Sequence, residues 1–129
     1  MQKLSFAAAI ALMLLGVPGL AFTASNSLKV TDQGNGTFLV AYGGRSGARA
    51  FWCAAGDYAQ RVLGLGATDR IWRVSQPPRG AGQGVIFSIS PNGAATDTGI
   101  ARLGPPSASF TVSRAQQSCI DPAEMVRED

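Results

Sequence analysis

Residues 49–64, RAFWCAAGDYAQRVLG, are the one stretch beyond the N-terminus with helical periodicity, and the chain around them is broken into short runs by glycine and proline. On a helical wheel Phe51, Trp52, Ala55, Ala59, Val62 and Leu63 share one continuous face, with Gly56 and Tyr58 at its margins. A lone helix with so broad an apolar face must bury it on a sheet. Cys53 falls on the opposite side, beside Asp57 and Gln60. Asp57 precedes Arg61 by one helical turn, the favourable order for a surface ion pair worth about 0.2–0.5 kcal/mol. Gly64 is the expected left-handed stop.

The short runs read as strands. Residues 27–31 alternate Leu28 and Val30 with polar neighbours, and residues 37–42 place Phe38, Val40 and Tyr42 on one side. Between them, Asp32 to Gly36 is turn chemistry, which predicts a β-hairpin. Asp32 and Asn35 do not make a calcium loop, because the spacing and the closing glutamate are missing. Residues 70–76 form a strand stopped by Pro77 and Pro78, with Trp72 expected in the core. Residues 85–90 form another, with Val85, Phe87 and Ile89 inward and Ser88 and Ser90 outward. A short edge strand is possible at residues 100–103, and residues 107–114 alternate as a last strand before Cys119. The sum is an α+β fold: one main helix packed on an antiparallel sheet of about four to six strands, with no internal repeat and no second domain.

The N-terminus sets the compartment. Lys3, an apolar run from Leu4 to Leu15 and then small residues have the form of a secretory signal, with the cut expected after Ala21 and cuts after Thr23, Ala24 or Ser25 as alternatives. The run is too short to span a bilayer, so no transmembrane segment is expected after cleavage. The expected organisation is a cleaved signal peptide at 1–21, a single domain at 22–120 and an acidic, flexible tail at 121–129. In an oxidising compartment the two cysteines, Cys53 and Cys119, read as one disulfide. Closing that loop removes about 4 kcal/mol of denatured-state freedom in the chain-entropy account.

With 46% hydrophobic and 15% charged residues, the chain is too apolar for a disordered protein. Its body is basic, Lys29 and eight arginines opposing Asp32, Asp57, Asp69 and Asp97, whereas the tail is acidic. Arginine's planar fork suits carboxylate or phosphate partners, such as an acidic component of the cell envelope or an acidic protein. Export and the modest net charge of +3 argue against nucleic acid.

Catalytic chemistry is poorly provided for. There is no histidine, which removes the commonest neutral-pH base and the commonest metal ligand. With both cysteines oxidised no zinc set remains, and no cofactor motif is present. Asp57 and Asp69 are the available acids in the body, and each also has a structural role open to it. The sharper feature precedes the helix. Arg45, Ser46, Gly47 and Arg49 stand at the end of a helix where the first amides are unpaired and the dipole is positive. Arginine has the wrong sign there for stability, a mismatch that a bound anion, an acid from elsewhere in the fold or solvent would relieve.

The run Phe51-Trp-Cys-Ala-Ala-Gly-Asp-Tyr-Ala59, its leucine-glycine stop, the Ile-Trp-Arg-Val strand and the late cysteine resemble small exported bacterial proteins without an assigned function. The resemblance covers residues 38–119. It implies a shared disulfide-bonded fold and no activity, so no catalytic residue follows from it. The expectation is therefore a small periplasmic or secreted binding or interaction protein, whose ligand is anionic if Arg45, Ser46, Gly47 and Arg49 hold it. Two alternatives stand beside it: a small envelope hydrolase using Asp57 or Asp69 with arginines, and a secreted inhibitor or structural protein acting through a strand edge or residues 77–84.

Overall fold

The computed structural model describes residues 21–45, 47–101 and 104–120. The expected signal peptide, up to residue 20, and the acidic tail lie outside the described residues. Six strands form one antiparallel sheet: β1 (Phe22–Thr23), β2 (Lys29–Gly34), β3 (Thr37–Val40), β4 (Arg70–Arg73), β5 (Val85–Ser88) and β6 (Ser109–Thr111), in the order β1-β2-β3-β5-β4-β6. Helix α1 (Ala48–Arg61) joins β3 to β4, and a short helix α2 (Val112–Gln117) follows β6. The fold is α+β, as the alternation of one helical and several strand patterns predicts.

The predicted hairpin forms by β2 and β3, whose turn residues Asn35 and Gly36 have φ values of 55° and 77°. Both are left-handed, as a two-residue turn matched to the strand twist requires. β5 pairs with β3 on one side and β4 on the other, so β3 and β4 run parallel with β5 inserted between them. That crossover lays α1 across the middle of the sheet.

The core is an alternating aromatic chain. Phe22 of β1, Phe38 of β3, Phe87 of β5 and Phe110 of β6 point toward the helix, and Tyr58 and Trp52 of α1 descend between them. The contacts run Phe22–Tyr58 (5.7 Å between ring centres), Tyr58–Phe38 (4.7 Å), Phe38–Phe87 (5.9 Å), Phe87–Trp52 (4.8 Å) and Trp52–Phe110 (4.7 Å). Aromatic pairs of this kind contribute about 0.5–1.5 kcal/mol each beyond the area they bury. Leu28, Val30, Val40, Ile71 and Val85 complete the core.

α1 is more enclosed than a one-faced wheel implies. Nine consecutive residues, Phe51 to Ala59, are buried. The reason is α2, which lies along the flank away from the sheet: a side chain at Gly56 would come within 2.9 Å of Ala115 Cβ and 3.0 Å of the Gln116 amide nitrogen. The disulfide Cys53–Cys119, with Cα atoms 4.7 Å apart across a separation of 66 residues, ties the end of α2 to that flank, as expected from the wheel position of Cys53. Gly64 ends the helix with φ 71°.

Several expectations are corrected. The run at 107–114 is not one strand: β6 stops at Thr111, whose Oγ1 accepts the Arg114 amide at 3.1 Å and caps α2. A threonine that can satisfy a free helix amide outweighs a short alternating pattern. Val62 and Leu63 lie past the helix end and are 50% and 37% exposed. Tyr42 and Ile89 likewise fall beyond the ends of β3 and β5 and are exposed, while Ser88 is buried. On β4, Ile71 and Arg73 face the core and Trp72 is half-buried on the other face. The expected Asp57–Arg61 ion pair forms, with Arg61 Nη1 3.5 Å from Oδ2, but Asp57 is buried rather than on the surface, and the same Oδ2 also accepts the Ser25 backbone amide at 2.8 Å. Residues 100 and 101 are not in a strand.

Candidate functional site

The basic entrance to α1 separates into parts. Gly47 is the exposed N-cap, extended at φ −78° and ψ 146°, and offers no side-chain cap. No acid occupies the first turn. Arg45 is exposed, and Ser46 lies outside the described residues. Arg49 leans across to the C-terminal end of α2, where Nη2 donates to the Ile120 carbonyl at 3.1 Å and the Gln117 carbonyl at 3.5 Å. The apparent charge mismatch at the start of α1 is therefore relieved by placing Arg49 against carbonyls at the C-terminal end of α2, where a cation is favourable.

A different arginine adjoins the entrance from the sheet side. Arg73 is the last residue of β4, facing the helix, and is only 2% exposed. Its Nε donates to the Ser75 carbonyl at 2.7 Å and its Nη1 to the Thr98 carbonyl at 3.3 Å, whereas Nη2 is buried without a partner. The same Thr98 carbonyl accepts the Trp52 indole N–H at 2.8 Å, so the segment around Thr98 is pinned both to α1 and to the guanidinium. Gly99 has φ 82°, and any Cβ there would collide with Arg73 Nη1. Glycine is thus what lets this backbone close over the charge. Burial pushes the Arg73 guanidinium below its ordinary range; the carboxylate of Asp97 opposes that shift and the charge of Arg79 reinforces it.

Arg73 lines a cavity of about 230 Å³ at the start of α1. Phe51, Val85, Pro77 and Pro78 form its apolar walls, Ala48 of the first helical turn and Gly99 close its sides, and Arg79 brings a second guanidinium. Arg79 Nη1 donates to the carbonyls of Gly80 (2.9 Å) and Gln83 (2.7 Å), and its guanidinium lies 4.9 Å from the Phe51 ring centre and 5.2 Å from that of Tyr42. A larger hollow of about 540 Å³ shares Pro77, Pro78 and Gly99 with it and carries Asp97, whose Oδ1 accepts the Gly99 amide at 2.8 Å.

What this arrangement can do is hold negative charge. It joins the positive end of a helix without an acidic side chain, a buried guanidinium with one unspent nitrogen and apolar walls that keep water from competing. The two acids considered for catalysis are occupied elsewhere: Asp57 holds the Ser25 amide, and Asp69 Oδ2 accepts the Gly66 amide at 2.7 Å within a turn. Among the described residues no three metal-ligating side chains come together, and no helix is long and apolar enough to cross a membrane.

Sequence reasoning singled out the start of α1 through Arg45, Ser46, Gly47 and Arg49, and did not connect Arg73 or Arg79 with it. A signal for Arg73 was present. Residues two apart on a strand share a face, so an inward Ile71 carries Arg73 inward with it. No protein family matches the chain, nor does any curated protein or solved structure.

Proposed function

We propose that this chain is an exported, disulfide-bonded binding protein, periplasmic or secreted, whose ligand is a small anion held at the start of α1. One observation carries the reading: the Arg73 guanidinium is buried with Nη2 unpartnered, in the wall of a cavity at a helix N-terminus that has neither a side-chain cap nor an acidic residue. An unpaired buried donor on a cation costs about 1–3 kcal/mol or more, and a bound anion removes that cost. The signal-like N-terminus and the disulfide support export. Binding is favoured over hydrolysis because Asp57 and Asp69 are engaged in holding backbone amides. It is favoured over strand-edge inhibition because the edge strands β1 and β6 have only two and three residues.

Thermal unfolding with added acetate, inorganic phosphate and benzoate tests the reading. A ligand present at a hundredfold its Kd stabilises the folded state by about 2.7 kcal/mol. At least one anion is expected to raise the Tm of the parent protein, and that rise should vanish in Arg73→Gln. Because Arg73 also holds Thr98 and Ser75, Ala48→Asp provides a second variant that leaves Arg73 intact. No response to any anion, or a response undiminished in Ala48→Asp, would refute the proposal.

A further inference from the structure

Resting on the anion-binding reading, we infer that the ligand of this cavity is a small monocarboxylic acid with a compact apolar body, and not a phosphate or an acidic sugar. Charge is the first reason. Arg73 and Arg79 line the cavity, and Asp97 is close enough to act on Arg73, so the surroundings carry one net positive charge. A monoanion neutralises it, whereas a dianion leaves excess negative charge beside Asp97.

Donor supply is the second reason. The Arg73 Nε–H and one N–H of Nη1 are spent on the Ser75 and Thr98 carbonyls. With the Ala50 amide paired to the Gly47 carbonyl, that leaves Nη2 and the uncapped amides of Ala48 and Arg49 as two donor sources for the two oxygens of a carboxylate. The walls are the third. Apart from the arginines, no side chain lining the cavity bears a hydroxyl, amide or carboxylate, and Phe51, Val85, Pro77 and Pro78 present carbon. Each sugar hydroxyl enclosed there would lose its water without gaining a partner. The volume of about 230 Å³ corresponds to roughly seven or eight waters at about 30 Å³ each, enough for a short branched or single-ring acid.

Calorimetric titration of the disulfide-bonded protein with acetate, isobutyrate, benzoate, inorganic phosphate and glucuronate tests this. Affinity should rise from acetate through isobutyrate to benzoate by about tenfold or more, since each buried methylene is worth roughly fourfold in affinity. Phosphate and glucuronate should bind at least about tenfold more weakly than benzoate, each lacking a counterpart for its extra charge or its hydroxyls. Ala48→Asp should abolish benzoate binding without lowering the Tm, because an acid in the first helical turn favours the helix while repelling the ligand. Phosphate or glucuronate binding as tightly as benzoate overturns the inference but leaves the anion-binding reading in place. Benzoate affinity unaffected by Ala48→Asp overturns both readings by placing the acid elsewhere, as does no binding by any of the five anions.

Discussion

Gly56 offers a sharp test of the packing between the two helices. It stands in the middle of α1, and replacing a helix-interior glycine with alanine normally stabilises by about 0.5–1 kcal/mol through the unfolded chain and helix propensity. Here the added methyl would sit 2.9 Å from Ala115 Cβ, 3.0 Å from the Gln116 amide nitrogen and 3.1 Å from Gln116 Cγ. Carbon atoms pack without strain at about 3.5–4.0 Å, so α2 would have to withdraw by several tenths of an ångström. It is poorly placed to do so, because Cys119 is bonded to Cys53 and Val112 is buried beneath it. Overpacking of this kind costs about 1–3 kcal/mol. Set against the propensity gain, Gly56→Ala should destabilise by about 1 kcal/mol, a Tm fall of roughly 4–8 °C in a domain of this size. Urea unfolding of Gly56→Ala, Ala115→Gly and the double variant should reveal a coupling of about 0.5 kcal/mol or more, with the double variant recovering part of the loss. Stabilisation by Gly56→Ala, together with strict additivity in the cycle, would refute the close approach of α2 to α1.

Three further outcomes are expected. Asp57→Ala should cost about 1–3 kcal/mol by orphaning the Ser25 amide, and limited proteolysis should then cut more readily within residues 22–26; an unchanged cleavage pattern contradicts the role given to Asp57. Replacing both Cys53 and Cys119 with serine should lower stability by about 2–5 kcal/mol in denaturant unfolding, since the bond closes a 66-residue separation; no change in the midpoint refutes the tether. The Tyr58 hydroxyl is held above the usual value of 10.0 by burial first and by the negative charge of Asp32 second. Its contribution to stability is therefore complete below about pH 10 and is lost as pH rises through the higher folded-state value. The urea midpoint of the parent protein should fall steeply above pH 10 and that of Tyr58→Phe less so; equal slopes count against this origin.

The sequence by itself determined the elements whose causes are local. The 3.6-residue periodicity of residues 49–64, the two-residue alternation of the strands and the Asn35–Gly36 turn each act over a few neighbouring residues, and each reads directly as helix, strand or hairpin. The disulfide was legible for a different reason: two cysteines leave one pairing. Where local cues conflicted, as at Thr111 between strand alternation and helix capping, the pattern misled because the competing hydrogen bond spans only three residues and hides inside it.

Tertiary structure alone decided what charge does. Arg49 stands at the start of α1 in sequence, yet its partners are carbonyls 68 and 71 residues away. Asp57 pairs with Arg61 as the spacing predicts, yet it is buried and also anchors a segment 32 residues upstream. The cavity itself is assembled from Ala48 and Phe51 on α1, Arg73 at the end of β4, the Pro77–Arg79 turn, Val85 on β5 and Gly99, which meet only because β5 inserts between β3 and β4 and carries the helix across the sheet. Burial of a side chain depends on everything packed around it, whereas the period of a pattern depends only on its own backbone. For that reason the α+β fold was visible in the residues, while the buried arginine on which the proposed function rests became visible only once the chain was folded.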